Sequence, residues 1–384
     1  MSSKLKILYL IDFWKATGGT ERHLSYLVTH LEKTRFQPHV VVFDYEPNSL
    51  VDQVRALGVE VLHMPVARYY TPNAFVKALE LRRFIRARGI DIVQTFHYKA
   101  DTYGALVARL SGVRHIVSSK RDAADYKNSF HLKLHHLAGA LTDRYIAVSG
   151  VIADVIGRKE GVPADKFTVI HNGVDLGRYN QPSEADQAAA KVANGFAPDD
   201  FVIGMSANFR PEKDHQLLID AFRELRREDP KARLLFVGGG PQYEQYKAWV
   251  EENGLADSIR LTGPVDDVRP FLHAVDVACL VPKINEGFSN SILEKMATGL
   301  PVIATDVGGN KEAIAEGVTG NIIAPRDGAA LLDRLRRLRA DRVLRARMSA
   351  AARKRAVELF SLPAMIRKHT DLYDSLSPQK GIAA

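Results

Sequence analysis

Glu286 and Glu294 bracket a short loop, Gly287-Phe288-Ser289-Asn290, that runs into a helix-forming segment and then into the apolar run 301–304. A glycine-led loop entering a helix presents unpaired backbone N–H groups and the positive end of the helix dipole to an anion. Carboxylates at its edges accept hydrogen bonds from sugar hydroxyls. The surface suits a ligand with phosphate at one end and a polyol at the other, and a nucleotide sugar is such a ligand. Two plainer readings stand beside this one. Ser291-x-x-Glu294 fits a capping box, in which Glu294 serves only the helix start. Glu286 alone reads as a solvated loop carboxylate.

Other residues of chemical interest follow strands. Arg210 and Lys213 lie after the run 201–205, where fixed cations would stabilise charge building on a departing diphosphate. The alternative is a surface pair at a helix start, an unfavourable place for cations. The sequence holds no Asp-x-Asp triplet, so a metal is not the obvious carrier of that charge. His97 ends the run 91–96 and reads either as a structural histidine or as a ligand contact. Gly18 and Gly19 open a helix expected near Thr20. Gly238-Gly239-Gly240 lacks the spacing of a dinucleotide fingerprint and reads as a turn. Lys120 and Arg121 end another run and either meet an acidic acceptor or are solvated.

Many elements must position these groups. Apolar runs of strand length fall at 6–11, 39–43, 60–64, 91–96, 114–118, 144–148 and 167–171, with amphipathic stretches between them such as 20–33, 73–88, 101–111 and 128–141. A second series runs through 201–205, 233–237, 258–262, 276–281, 301–305 and 320–324. Continuous apolar runs alternating with helices predict parallel sheets covered on both faces. Ligands of such sheets bind beyond the carboxyl ends of the strands. The polar, Ala-rich segment 178–200 between the series reads as a linker. The basic run 333–355 reads as two solvated helices.

The totals fit this architecture. A chain of 384 residues, 46% hydrophobic and 26% charged, has room for two cores. One cysteine, Cys279, excludes an intrachain disulfide and fits a reducing compartment. The start, 4–12, reads as a buried strand that Asp12 closes, not as a signal segment. No apolar stretch reaches bilayer-spanning length. The whole net charge of +8 falls within residues 1–180, which carry 25 Lys+Arg against 17 Asp+Glu. An anionic partner is expected on that side. Aromatic residues do not interleave with the basic runs, so nucleic acid is not expected. The segment 73–88 carries Lys77, Arg82, Arg83, Arg86 and Arg88 among Phe75, Leu79, Leu81, Phe84 and Ile85. It reads as a solvated face or as an interfacial helix on anionic lipid.

The stretch 286–304 resembles the E-x7-E signature of retaining glycosyltransferases of the GT-B fold, family 4 (glycosyl transferases group 1). The likeness extends in order through Gly18-Gly19-Thr20-Glu21, His97, Asn172-Gly173-Val174-Asp175, Arg210-Pro211-Glu212-Lys213-Asp214, Gly238-Gly239-Gly240-Pro241, Gly308-Gly309-Asn310-Lys311-Glu312 and Gly317-Val318-Thr319-Gly320. It implies two Rossmann-like α/β domains facing each other across a cleft. Residues 1–180 would bind the acceptor and 181–362 the donor, with a helix within 363–384 crossing back onto the first domain. It also implies residue roles. Glu294 would bind the ribose hydroxyls, and Glu286 the transferred sugar. Backbone N–H groups of Gly287, Phe288, Ser289 and Asn290 would meet the diphosphate or sugar. Lys213 and Arg210 would hold the leaving diphosphate, His97 would reach the donor sugar, and Gly18 and Gly19 would lie near the donor phosphates. Glu312 would hold loops behind the donor pocket. One departure stands out: in many relatives the arginine lies two or three residues earlier, where this chain has Asn208.

The function implied is transfer of a sugar from a nucleotide-diphosphate donor, a UDP-sugar first, to an acceptor hydroxyl with retention. The setting implied is cell-surface polysaccharide, lipopolysaccharide or glycolipid synthesis at the cytoplasmic face of the membrane. Partners would be the donor, a glycan or lipid-linked acceptor and an anionic membrane surface. No metal or cofactor is expected. A nucleotide-sugar epimerase of the same fold and a non-catalytic nucleotide-sugar-binding subunit are the alternatives.

Overall fold

The computed structural model describes residues 4–15, 18–45, 49–66, 71–123, 129–284 and 286–377. The chain divides into two compact units, Met1–Asn172 with Pro363–Ala384, and Gly173–Leu362.

The first unit is built on seven strands: β1 (Leu5–Trp14), β2 (Phe36–Tyr45), β3 (Glu60–His63), β4 (Ile92–Phe96), β5 (His115–Lys120), β6 (Arg144–Ala147) and β7 (Phe167–Val169). They pair in the order β3-β2-β1-β4-β5-β6-β7, all parallel. The central strands are apolar along their length because helices cover both faces; Leu8, Leu10, Val41, Val93 and Ile116 form part of one core with Leu81 and Ile85 of helix Pro72–Arg88. Helix Leu362–Leu376 supplies Tyr373, which lies within 3.1 Å of the Tyr9 hydroxyl and donates to Gln94 Oε1 at 2.5 Å. It also supplies Asp374, which accepts two hydrogen bonds from Arg35 at 2.7 and 2.6 Å. Residues 378–384 of the expected C-terminal helix lie outside the described residues.

The second unit holds β8 (Phe201–Ser206), β9 (Ala232–Val237), β10 (Ile259–Leu261), β11 (Val277–Leu280), β12 (Val302–Thr305) and β13 (Gly320–Ile323). Their order is β10-β9-β8-β11-β12-β13, again parallel. The strand order therefore reverses once in each sheet, at β1/β4 in the first unit and at β8/β11 in the second. Neighbouring crossovers leave opposite ways there, which opens a crevice at the carboxyl ends of those strands.

Two expectations need correction. The segment 178–200 is no linker: it holds helix Glu184–Ala193, whose buried Lys191 reaches Asp276 at 2.8 Å and the Asp200 carbonyl at 2.8 Å. The boundary lies earlier, before Gly173, since the Val174 N–H donates to the Phe360 carbonyl at 2.7 Å and its own carbonyl accepts from Leu362. The run 333–355 does form two helices, Gly328–Ala340 and Arg342–Phe360, but their inner faces are packed. Arg353 donates to the Tyr179 carbonyl at 2.6 Å, and Arg355 to the Ala313 and Glu312 carbonyls at 2.8 and 2.9 Å.

Candidate functional site

Both switch points carry residues singled out by sequence. In the second unit, the chain leaves β8 at Ser206, passes Phe209 and turns tightly at Pro211–Lys213 before helix His215–Glu228. Phe209 is buried and stacks on His215 at 4.1 Å, which anchors the loop. The glycine run after β9 does more than turn: the Phe209 N–H donates to the Gly239 carbonyl at 2.8 Å, and a Cβ on Gly240 would lie 2.7 Å from the Phe209 nitrogen. The Pro211–Lys213 turn ends at Asp214, in the left-handed region at φ 54, whose carboxylate accepts from Lys283 at 3.1 Å. The Lys283 N–H donates to the Glu212 carbonyl at 2.8 Å. These bonds tie the turn to the loop that follows β11.

That tie brings Lys213 and Glu286 together. Nζ lies 2.6 Å from Oε2, with side chains 20% and 13% exposed. A half-sheltered pair of this kind fixes both side chains in place while leaving carboxylate lone pairs and ammonium protons for a ligand. Arg210 does not join it; its side chain is 57% exposed and its nearest carboxylate is Glu212 at 3.9 Å. Beyond Glu286, Gly287, buried Phe288 and buried Ser289 lead into helix Asn290–Ala297, which carries half-buried Glu294. The capping-box reading fails here. The helix starts at Asn290, so Ser289 occupies the cap position and makes no side-chain cap bond. Ser291 instead donates to the Ser206 carbonyl at 2.7 Å, which joins the helix to β8.

A second loop braces the first from behind. Gly308 has φ 56, and a Cβ there would lie 1.5 Å from the Glu286 carbonyl oxygen. The Gly309 N–H donates to the Gly287 carbonyl at 2.9 Å. Asn310, fully buried, donates to the Thr305 carbonyl at 3.1 Å and holds this loop to β12.

In the first unit, β1 pairs with β4 up to Ile11–Phe96, and the next residues diverge. His97 has φ 71, uncommon for a side-chain-bearing residue, and stacks on Phe13 at 4.3 Å. Burial pulls its pKa down to about 4, so the ring is neutral near pH 7. Its Nδ1 is buried without a partner. Asp12 holds the turn beyond it, accepting from the Lys99 and Ala100 N–H groups at 2.7 Å each. Burial raises the Asp12 pKa to about 7 against the pull of those two bonds. Gly18 precedes helix Gly19–His30, and the Glu21 carboxylate folds back into the space a Cβ on Gly18 would fill, 1.7 Å from Oε2.

Lys120 is neither solvated nor open to an acidic acceptor, whereas its neighbour Arg121 is half-buried. Lys120 lies between Asp101 at 2.9 Å and Glu160 at 3.0 Å, all buried, and these carboxylates hold it protonated although burial opposes its charge. Arg121 donates to Asn172, and burial lowers its pKa to about 9.

Sequence reasoning missed three contributors. Asp12 had a signal, a lone acid in an apolar strand at a switch point. Ser206 and Lys295 had none, because their proximity is created by the β8–β11 pairing. Among the described residues no group of three or more His, Cys, Asp or Glu side chains is placed to hold a metal ion.

Known proteins resemble this chain in sequence and fold. The family model for glycosyl transferases group 1 matches residues 186–355, and that for Glycosyltransferase Family 4 matches residues 17–178. An Escherichia coli UDP-Gal:alpha-D-GlcNAc-diphosphoundecaprenol alpha-1,3-galactosyltransferase is 26% identical over 97% of each chain. A Nocardia farcinica D-inositol 3-phosphate glycosyltransferase is 32% identical over 56% of this chain and 48% of its own. The chain thus spans about half the length of several curated relatives it matches. The crystal structure of Anabaena HepE in complex with UDP superimposes with a TM-score of 0.85 at 22% identity, over 97% of this chain and 100% of that one. The apo lipopolysaccharide outer core galactosyltransferase WaaB does so with a TM-score of 0.75 at 18% identity, over 97% and 99%. With one family model on each unit and the GT-B fold throughout, the chain belongs to glycosyltransferase family 4.

Proposed function

We propose that this protein is a retaining glycosyltransferase that moves a sugar from a UDP-sugar to an acceptor hydroxyl in the building of a cell-surface polysaccharide, lipopolysaccharide or glycolipid. The observation that carries the reading is the Lys213–Glu286 pair, held 2.6 Å apart at the mouth of the helix that bears Glu294. In this reading Glu294 takes the ribose hydroxyls, and the N–H groups of 287–290 take the diphosphate or sugar. Lys213 and the exposed Arg210 stabilise the leaving diphosphate. Glu286 orients the sugar, and its salt bridge suits a hydroxyl acceptor better than a nucleophile. His97, neutral at pH 7, contributes hydrogen bonding rather than charge. The acceptor attacks the face that the diphosphate leaves, and the leaving phosphate takes its proton. No second carboxylate is then needed as a base.

Two relatives support the donor class: the E. coli enzyme is named for UDP-Gal, and HepE was solved with UDP. The lipid-linked acceptor is supported by the diphosphoundecaprenol in the E. coli enzyme's name. Docking on anionic lipid is supported by helix Pro72–Arg88, where Phe75 and Leu79 are exposed beside Arg83 and Arg86. No helix among the described residues is long and apolar enough to cross a membrane.

A thermal-shift panel of UDP-, GDP-, dTDP- and ADP-sugars, with and without EDTA, tests the reading on wild type and Glu294→Ala. Ligand at ~100 times its Kd stabilises by about 2.7 kcal/mol. A shift with UDP-sugars that survives EDTA and is lost in the variant is expected. No shift at millimolar ligand removes the donor site.

A further inference from the structure

Lys295 is fully buried one residue beyond Glu294, and the roles proposed above do not use it. Its ammonium donates to Ser206 Oγ at 2.9 Å, to the Ser206 carbonyl at 3.4 Å and to Ser291 Oγ. All three acceptors are neutral, and among the described residues it makes no ion pair. Ser206 ends β8 at the root of the loop carrying Lys213. Ser291 lies in the first turn of the helix entered from Glu286. The ammonium therefore sits beneath both loops of the donor site, at their junction.

The charged groups that bear on it are few. Glu294 on its own helix and Glu286 on the preceding loop favour its charge, as does Cys279 on β11 if ionised; Lys213 on the loop after β8 opposes it. Burial outweighs the favourable neighbours and lowers its pKa to about 8. Burial raises the Cys279 thiol to about 12, so that group stays neutral. A buried cation with only neutral partners lowers stability, and a methionine would fill the same space without that penalty. The position of the charge has a use when an anion arrives. In a water-poor interior a fixed cation acts over a longer distance than at a surface, and the helix N-terminus adds to it.

We infer that Lys295 is a positioning residue for the donor: it ties the β8 loop to the Glu286 loop through Ser206 and Ser291, and its charge strengthens binding of the diphosphate, so that binding at alkaline pH draws a proton onto it. The inference rests on the donor-site reading above. The donor's negative charge raises the affinity of Lys295 for its proton, and linkage makes the donor bind more tightly to the protonated form.

Isothermal titration of UDP-galactose and UDP-glucose at pH 7.0 and 8.5, in two buffers of different ionisation enthalpy, reads this directly. If the bound donor raises the lysine's pKa by about one unit, wild type binds roughly threefold more weakly at pH 8.5 and takes up about half a proton there. Lys295→Met is expected to bind more weakly at pH 7.0 and to lose both the pH dependence and the uptake. The same variant corrects for ionisation of the ligand itself. Wild type that binds equally at both pH values with no proton uptake overturns the inference, as does a Lys295→Met protein that keeps both signatures. Failure of both sugar nucleotides to bind at either pH removes the donor-site reading, and this inference with it.

Discussion

Gly308→Ala separates the bracing of the Glu286 loop from ordinary backbone stability. At φ 56 an added Cβ would lie 1.5 Å from the Glu286 carbonyl oxygen. Carbon–oxygen contacts settle at about 3.3 Å or more, so the Glu286 backbone must move by roughly 2 Å or the Gly309–Gly287 bond must break. A misplacement of about 1 Å in a positioning element costs on the order of 10²-fold in rate. The left-handed backbone separately costs alanine about 1–2 kcal/mol, equivalent to a fall in Tm of a few degrees, about 2–4 °C per kcal/mol at this size. Gly317 supplies the control, since it has φ 70 and no heavy atom within 4 Å of where an added Cβ would lie. Gly317→Ala should show the loss in Tm alone. Gly308→Ala should show that loss and a fall in kcat/KM of about 100-fold or more, read as UDP release from UDP-galactose. Equal activity in the two variants refutes the bracing role, whatever their stabilities.

Three further outcomes follow from the same geometry. Asp12→Asn sets an amide nitrogen against one of the two N–H groups that Asp12 now satisfies, and should destabilise the protein by about 1–3 kcal/mol in chemical denaturation at pH 8; unchanged stability contradicts that role. Lys295 has a folded-state pKa lowered to about 8, below its unfolded value, so between there and the ordinary lysine range the unfolded chain holds a proton that the folded chain has released. Its contribution to stability is therefore least favourable below about pH 8 and improves as pH rises, and the stability gap between wild type and Lys295→Met should shift in favour of wild type from pH 7 to 10, by up to about 3 kcal/mol; a flat difference contradicts the buried charge. Wild type should sediment with vesicles containing anionic lipid and not with zwitterionic ones, and Phe75→Ser with Leu79→Ser should release it; equal sedimentation of the double variant excludes this helix as the docking element.

The parts of this molecule legible in its sequence are those where short-range pattern and burial coincide. Strands buried on both faces read as continuous apolar runs, so 201–205 and 276–281 locate β8 and β11 within a residue or two at either end. Glycines, acids and cations just beyond those runs then mark the switch-point loops. What stayed hidden are charges whose burial depends on partners far along the chain. Lys295 meets Ser206 across 89 residues, and Lys120 meets Glu160 across 40. On sequence alone each looks like any solvated lysine. Asp12 reads as a strand terminator, yet β1 continues to Trp14 because the Lys99 and Ala100 N–H groups satisfy the carboxylate. The helix 184–193 was obscured by its polar, Ala-rich composition, and its docking through Lys191 and Asp276 is again long-range.

Slow hydrolysis of UDP-α-galactose or UDP-α-glucose in the absence of acceptor, followed by proton NMR from the first minutes, tests the central claim most directly. Release of the α-anomer ahead of mutarotation, at a rate that collapses in Lys213→Ala and persists in EDTA, is the predicted result. First release of the β-anomer, or sugar release that Lys213→Ala leaves untouched, contradicts a retaining donor site built on Lys213 and Glu286.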